Sequence, residues 1–187
     1  MKRWLLLAVV IAAACADPVH NARVDALGGE TGDGPGPTHR PGQPCLTCHG
    51  GGGPAKAQFV VAGTIYQLQD PTSPPMAGLT VSILDATKDG TPHTAVTNEA
   101  GNFYIRAENW TPVFPLHDIT LSIEGSQNSP VMNTVMGRDG SCATCHYDPA
   151  SRSTPGHVYF ASDPTDLPGG GGGGGDTDGG DADGGGP

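Results

Sequence analysis

Residues 78–86 read GLTVSILDA. Leu79, Val81 and Ile83 fall on one side of an extended chain and Thr80 and Ser82 on the other. That is the period-two pattern of a half-buried strand. Working outward, DITLSIEG (118–125) repeats it, with Ile119, Leu121 and Ile123 opposed to Thr120 and Ser122. QFVVAGTIYQL (58–68), HTAVT (93–97) and GNFYIRA (101–107) are further short runs rich in Val, Ile, Thr, Phe and Tyr. Such residues suit a pleated, half-buried surface. Between the last two lies NEAGN (98–102), a turn signal in which Gly101 can take a positive φ. No segment carries a useful helical period. Short strands separated by Gly, Pro, Asp and Asn predict an all-β domain, a small antiparallel β-sandwich over residues 59–125.

Three local matches support that reading. Gly63-Thr64-Ile65-Tyr66 opens the domain, Ala77-Gly78 precedes Leu79-Thr80-Val81, and Thr97-x-x-x-Gly101-Asn102-Phe103 follows. Together they resemble the carboxypeptidase regulatory-like, transthyretin-type β-sandwich. The resemblance implies a fold more than a function, because such modules serve as spacers, adhesion units or sugar binders. A scaffold role is therefore expected here.

Chemistry concentrates at the two ends of this domain. PCLTCHGG (44–51) holds Cys45, Cys48 and His49, and SCATCHYD (141–148) holds Cys142, Cys145 and His146. C-x-x-C-H is the attachment sequence of a c-type haem. The spacing has a physical reason. Two thiols add to vinyl groups on adjacent pyrrole rings, and the next residue then lies under the iron, where His supplies a ring nitrogen. The expectation is two covalent haems, with His49 and His146 as proximal ligands, in segments 45–58 and 126–162. Resemblance to multihaem c-type cytochromes extends only to these pentapeptides; the rest does not match their mostly helical folds. Two rival readings remain open. Four cysteines in two pairs can make an all-thiolate zinc site, although zinc does not explain a His after each pair. Two local disulfides or a thiol redox pair are also compatible with an exported protein, although no thioredoxin-like βαβ pattern accompanies them.

Each iron needs a sixth ligand or an open position. The candidates, in order of preference, are His157, Met136 and His39. Met132, His93, His117 and His20 rank below them. Six residue steps from His39 to Cys45 span about 20 Å when extended, and eleven from His146 to His157 about 36 Å, enough in both cases to round a haem edge. A Met ligand would raise the potential relative to a second His.

The N-terminus reads MKRWLLLAVVIAAAC. Lys2 and Arg3, the apolar run Trp4–Ile11 and the small residues after it make the three-part pattern of a secretory signal over residues 1–14. The run is too short for an ordinary spanning helix of roughly 20 residues. Ala-Ala-Ala-Cys resembles the lipobox of bacterial lipoproteins, departing from it at Ala12, where that family usually has Leu. The resemblance implies cleavage before Cys15 and attachment of diacylglycerol to its sulfur; a plain signal peptide ending beside a cysteine is the alternative. Cys15 and the two motifs account for all five cysteines, so none is left to staple distant segments.

Residues 15–44 carry Gly, Pro, Asp and His without apolar period and are expected to form a flexible tether. Residues 163–187 are Gly- and Asp-rich and are expected to be disordered. Asp176, Asp178, Asp181 and Asp183 in that tail supply part of the net charge of −10, so the folded part is only mildly acidic. That balance argues against nucleic-acid binding, which needs a basic surface. The whole chain reads as an exported, outer-membrane-anchored dihaem electron carrier, periplasmic or at the cell surface. Its partners would be redox proteins and, through the lipid, a membrane. No nucleophile–base arrangement points to an enzyme, although an open sixth position would permit peroxidase-type chemistry. The alternative is a surface β-sandwich lipoprotein whose motifs are zinc or disulfide clips.

Overall fold

The computed structural model describes residues 17–30, 34–87 and 90–169. The signal segment, Cys15 and the Gly/Asp tail from residue 170 lie outside them. The chain folds as a small all-β domain of two three-stranded sheets. All five expected strands form: β1 (Phe59–Leu68), β2 (Thr80–Leu84), β3 (His93–Val96), β4 (Asn102–Arg106) and β5 (His117–Ser122). In one sheet β2 lies between β3 and β5, antiparallel to both. In the other, β1 lies between β4, antiparallel with Gly63 opposite Phe103, and a sixth strand, β6 (Val158–Ala161).

The alternation first seen at 78–86 decides the packing. Leu79, Val81 and Ile83 are fully buried, while Thr80 and Ser82 are only partly covered. They meet Ile119 and Leu121 of the same sheet and Val61, Ile65, Phe103, Ile105 and Phe160 of the other in one core. Each such side chain contributes about 1.5–3 kcal/mol by leaving water. At the predicted turn, Gly101 has φ +69°, and a Cβ there would overlap the Ile65 carbonyl oxygen. Asn98 closes the turn by accepting from the backbone N–H groups of Ala100 (3.0 Å) and Asn102 (3.1 Å).

Three expectations are corrected. First, the domain does not end at residue 125, nor is it purely antiparallel: β6 runs parallel to β1, with Ile65 opposite Val158 and Leu68 opposite Ala161. VYFA (158–161) is a short apolar run without alternation, and only its long-range pairing makes it a strand.

Second, residues 17–30 and 34–44 are not a structureless tether. Pro18–Ala26 form helix α1, capped by the Asp17 carboxylate, which accepts from Val19 and His20 N–H groups at 3.0 Å. Farther along, the Gly42 N–H donates to Thr64 Oγ1 (2.8 Å), and Asn102 Nδ2 donates to the His39 carbonyl (3.0 Å). Arg40 donates to the carbonyls of Leu27 (3.0 Å) and Gly28 (2.6 Å) and pairs with Glu30 (3.1 Å). The segment docks through backbone polar groups rather than through apolar burial, which is why its composition did not reveal it.

Third, residues 163–169 are ordered before the tail. A short 3-10 turn spans Pro164–Asp166, and Leu167 packs on the core. No helix among the described residues is long and apolar enough to cross a membrane.

Candidate functional site

The first cluster sits on a one-turn helix, α2 (Leu46–His49), whose His49 N–H donates to the Cys45 carbonyl (2.9 Å). One helical turn brings both thiols and the imidazole to one place. They open on a hollow of about 710 Å³ over the outer face of the β4–β1 pair. That face carries Ala62, Asn102, Tyr104 and Arg106. Phe59 joins it because of a β-bulge between Phe59 and Val61. A bulge re-aims a side chain, and here it lays Phe59 against Tyr104 (ring centroids 4.4 Å) and His49 (4.3 Å). Lys56, Arg106 and the Arg40–Glu30 ion pair also line the hollow. Cys45 and Cys48 are both half-buried. Burial pushes the Cys45 thiol up to about 11.

The second cluster is built into the fold. A 3-10 turn spans Cys142–Thr144. Just before it, the Ala62 N–H donates to the Gly140 carbonyl (3.0 Å), so Ser141 pairs alongside β1. Cys142 is buried in the core while Cys145 is exposed. Desolvation, helped by the charge of Cys45, pushes the Cys142 thiol up to about 12. Cys142 and His146 line a hollow of about 380 Å³ between β5 and β6, which also contains Met132, Met136 and His157.

One device recurs at both clusters. His49 Nδ1 donates to the Ala57 carbonyl (2.9 Å), and His146 Nδ1 donates to the Gly156 carbonyl (3.2 Å). A carbonyl only accepts, so the proton is fixed on Nδ1 and the lone pair on Nε2. Metal-ligating histidines are oriented in this way. Burial also lowers the pKa of His146, favouring the neutral ring that ligation needs.

The other ligand candidates separate by geometry. His157, first in order from sequence, has no free nitrogen. Its Nδ1 meets the Asp148 carboxylate (2.7 Å) and its Nε2 the Leu68 carbonyl (2.8 Å). It ties the second motif's loop to the end of β1 instead. Met136 is buried and lines the hollow of His146, with its backbone paired to Leu116. His39 lies beside His49, ring centroids 5.7 Å apart and nearly parallel. Its Nδ1 accepts from the Gly36 N–H (3.1 Å), so the ring proton lies on Nε2, and ligation through Nε2 would require that bond to break and the proton to move to Nδ1. His20, His93 and His117 line neither hollow. His93 stacks on Trp110 (4.1 Å), and His117 bonds Asp118 and the Asp85 carbonyl, both at 2.8 Å.

At the first cluster both thiols and the imidazole face one hollow, as a c-type haem requires; at the second, Cys142 and His146 share a hollow. The first hollow lies within the roughly 300–1,000 Å³ usual for ligand cavities, with aromatic walls and cationic groups that complement haem carboxylates. The second hollow is narrower, and Cys145 does not line it. The four described cysteines are free thiols, and among the described residues no three His, Cys, Asp or Glu side chains converge as a metal site. Sequence reasoning did not find Phe59, Tyr104, Arg106 or Asp148, because a bulge and a cross-strand register place them. No family model matches this chain, and comparison with curated proteins and solved structures finds none that matches.

Proposed function

We propose that this chain is an exported, lipid-anchored dihaem c-type electron-transfer protein that serves redox partner proteins. A transthyretin-type β-sandwich would act as the scaffold. The observation that carries the reading is the paired device: in each C-x-x-C-H cluster, Nδ1 of the histidine donates to a downstream carbonyl and leaves Nε2 free beside a hollow that also holds a motif cysteine. Cys45 and Cys48 would hold one haem with His49, and Cys142 and Cys145 the other with His146. Bound haem iron would supply a one-electron couple, while the protein sets its potential and position. Met136 is the preferred distal residue at the second site, and His39 at the first. Phe59 and Tyr104 exclude water from the inner wall of the first hollow, and Lys56 and Arg106 offer it positive charge. Residues 1–14 would direct export, and Cys15 would carry the lipid to an outer membrane, facing the periplasm or the cell surface.

The test is the mass of the exported protein after acid–acetone extraction, which strips only non-covalent haem. Two retained haems per chain are expected. A mass equal to the bare mature polypeptide would overturn the proposal.

A further inference from the structure

The two clusters are far apart in sequence but meet at one point of β1. On the outer face, the Gly42 N–H donates to Thr64 Oγ1, and the chain continues into Cys45, which shares its hollow with Ala62. Beside β1, in the plane of the sheet, Ser141 pairs with Ala62, and toward the core the Cys142 sulfur lies 2.6 Å from where a Cβ on Gly63 would stand. Phe103 Cε1 lies 3.0 Å from the same point. Any side chain at Gly63 would therefore displace Cys142. The loops are neighbours as well: Leu46 and Thr47 of the first motif, and Ser141 and Thr144 of the second, line one hollow of about 310 Å³.

The geometry points to a back-to-back arrangement: β1 at Ala62–Gly63 is the partition between the two attachment sites, and Gly63 is the positioning residue that lets Cys142 lie against it. This rests on the dihaem reading above. It adds that the two haems form a magnetically interacting pair rather than two independent centres, because one anchoring cysteine of each, Cys45 and Cys142, lies against the Ala62–Gly63 stretch of the same strand. Sequence distance alone would leave them unrelated.

Electron spin resonance of the full, fully oxidised protein tests this, after the haem count has been made by mass. Spectra at two microwave frequencies separate a spin–spin splitting, constant in field units, from g anisotropy, which scales with frequency. The expected result is a field-constant splitting or broadening of the low-spin signals. It should be lost in each single-haem variant, Cys45→Ser with Cys48→Ser or Cys142→Ser with Cys145→Ser. Gly63→Ala should change the splitting while both haems remain attached, a signature that general destabilisation would not produce. If two haems are attached and the wild-type spectrum equals the sum of the two single-haem spectra, the back-to-back arrangement is overturned and the dihaem reading stands. If the mass shows no haem, both fall. Should either double variant fail to fold, the two-frequency comparison on the wild-type protein decides alone: lines that scale wholly with frequency overturn the arrangement.

Discussion

The two C-x-x-C-H clusters share a pentapeptide pattern and a histidine device, yet they occupy opposite kinds of surroundings. The first rests on the outer face of a sheet, on a one-turn helix, and is held by the polar docking of residues 34–44. The second is threaded through the core: Gly140 bonds Ala62, Cys142 packs beside Phe103, and the loop after His146 is tied to β1 by His157. A short motif dictates chemistry and local turn, while the rest of the chain decides whether the site is an appendage or a structural member. Damage to the first cluster should stay local, and damage to the second should reach the fold.

The largest effect should come from removing a proximal imidazole. His49→Ala and His146→Ala should each convert one low-spin haem to a high-spin or exogenously ligated form and spare the ligation of the other, read by optical and spin-resonance spectra. A double variant with unchanged spectra would show that neither ring touches iron. Next comes Gly140→Ala, whose Cβ would overlap the Val60 carbonyl oxygen. It should cost about 1–3 kcal/mol of global stability, measured by denaturant unfolding, and should perturb the second haem before the first. An unchanged unfolding midpoint would contradict the structural role of the second cluster.

Asn102→Ala sharpens the comparison from the other side. Asn102 is 7 % exposed, donates to the His39 carbonyl, and accepts from Thr64 Oγ1 (2.7 Å). Its loss should cost about 1–3 kcal/mol by leaving buried partners unmatched. It should also speed proteolysis within residues 34–44 and shift only the first haem's spectrum. Equal shifts in both spectra would erase the distinction between the sites.

The smallest effect concerns the scaffold apart from both clusters. Asp85 accepts from the Thr87 hydroxyl and from the Thr87 (2.9 Å) and Val113 (3.0 Å) N–H groups. These bonds, the hydroxyl first, hold its carboxyl down at about 2. An unfolded Asp titrates near 3.9, so this stabilisation is present above about pH 4 and fades as the pH falls towards 2. Asp85→Asn should flatten that part of the stability profile without altering either haem spectrum. An unchanged acid limb would remove Asp85 from the account.

Five strands were legible because alternation is a local property. Leu79, Val81 and Ile83 announce their common face whatever they pack against, and Gly101 announces its turn. Both clusters were legible because the chemistry needs its residues within one turn of chain. β6 was not, since four apolar residues after a long excursion become a strand only by pairing with β1. Nor was the engagement of His157, whose partners Asp148 and Leu68 come from separate parts of the chain.

The sequence by itself therefore determined an all-β core and two sets of Cys, Cys and His, for these follow from side-chain period and spacing along a few residues. Tertiary structure alone decided that the two sets meet across one strand, that one is docked outside the core and the other built into it, and which histidines keep a free nitrogen. Those outcomes depend on register, a bulge and long-range hydrogen bonds, each of which joins residues whose separation along the chain carries no information about their distance in space.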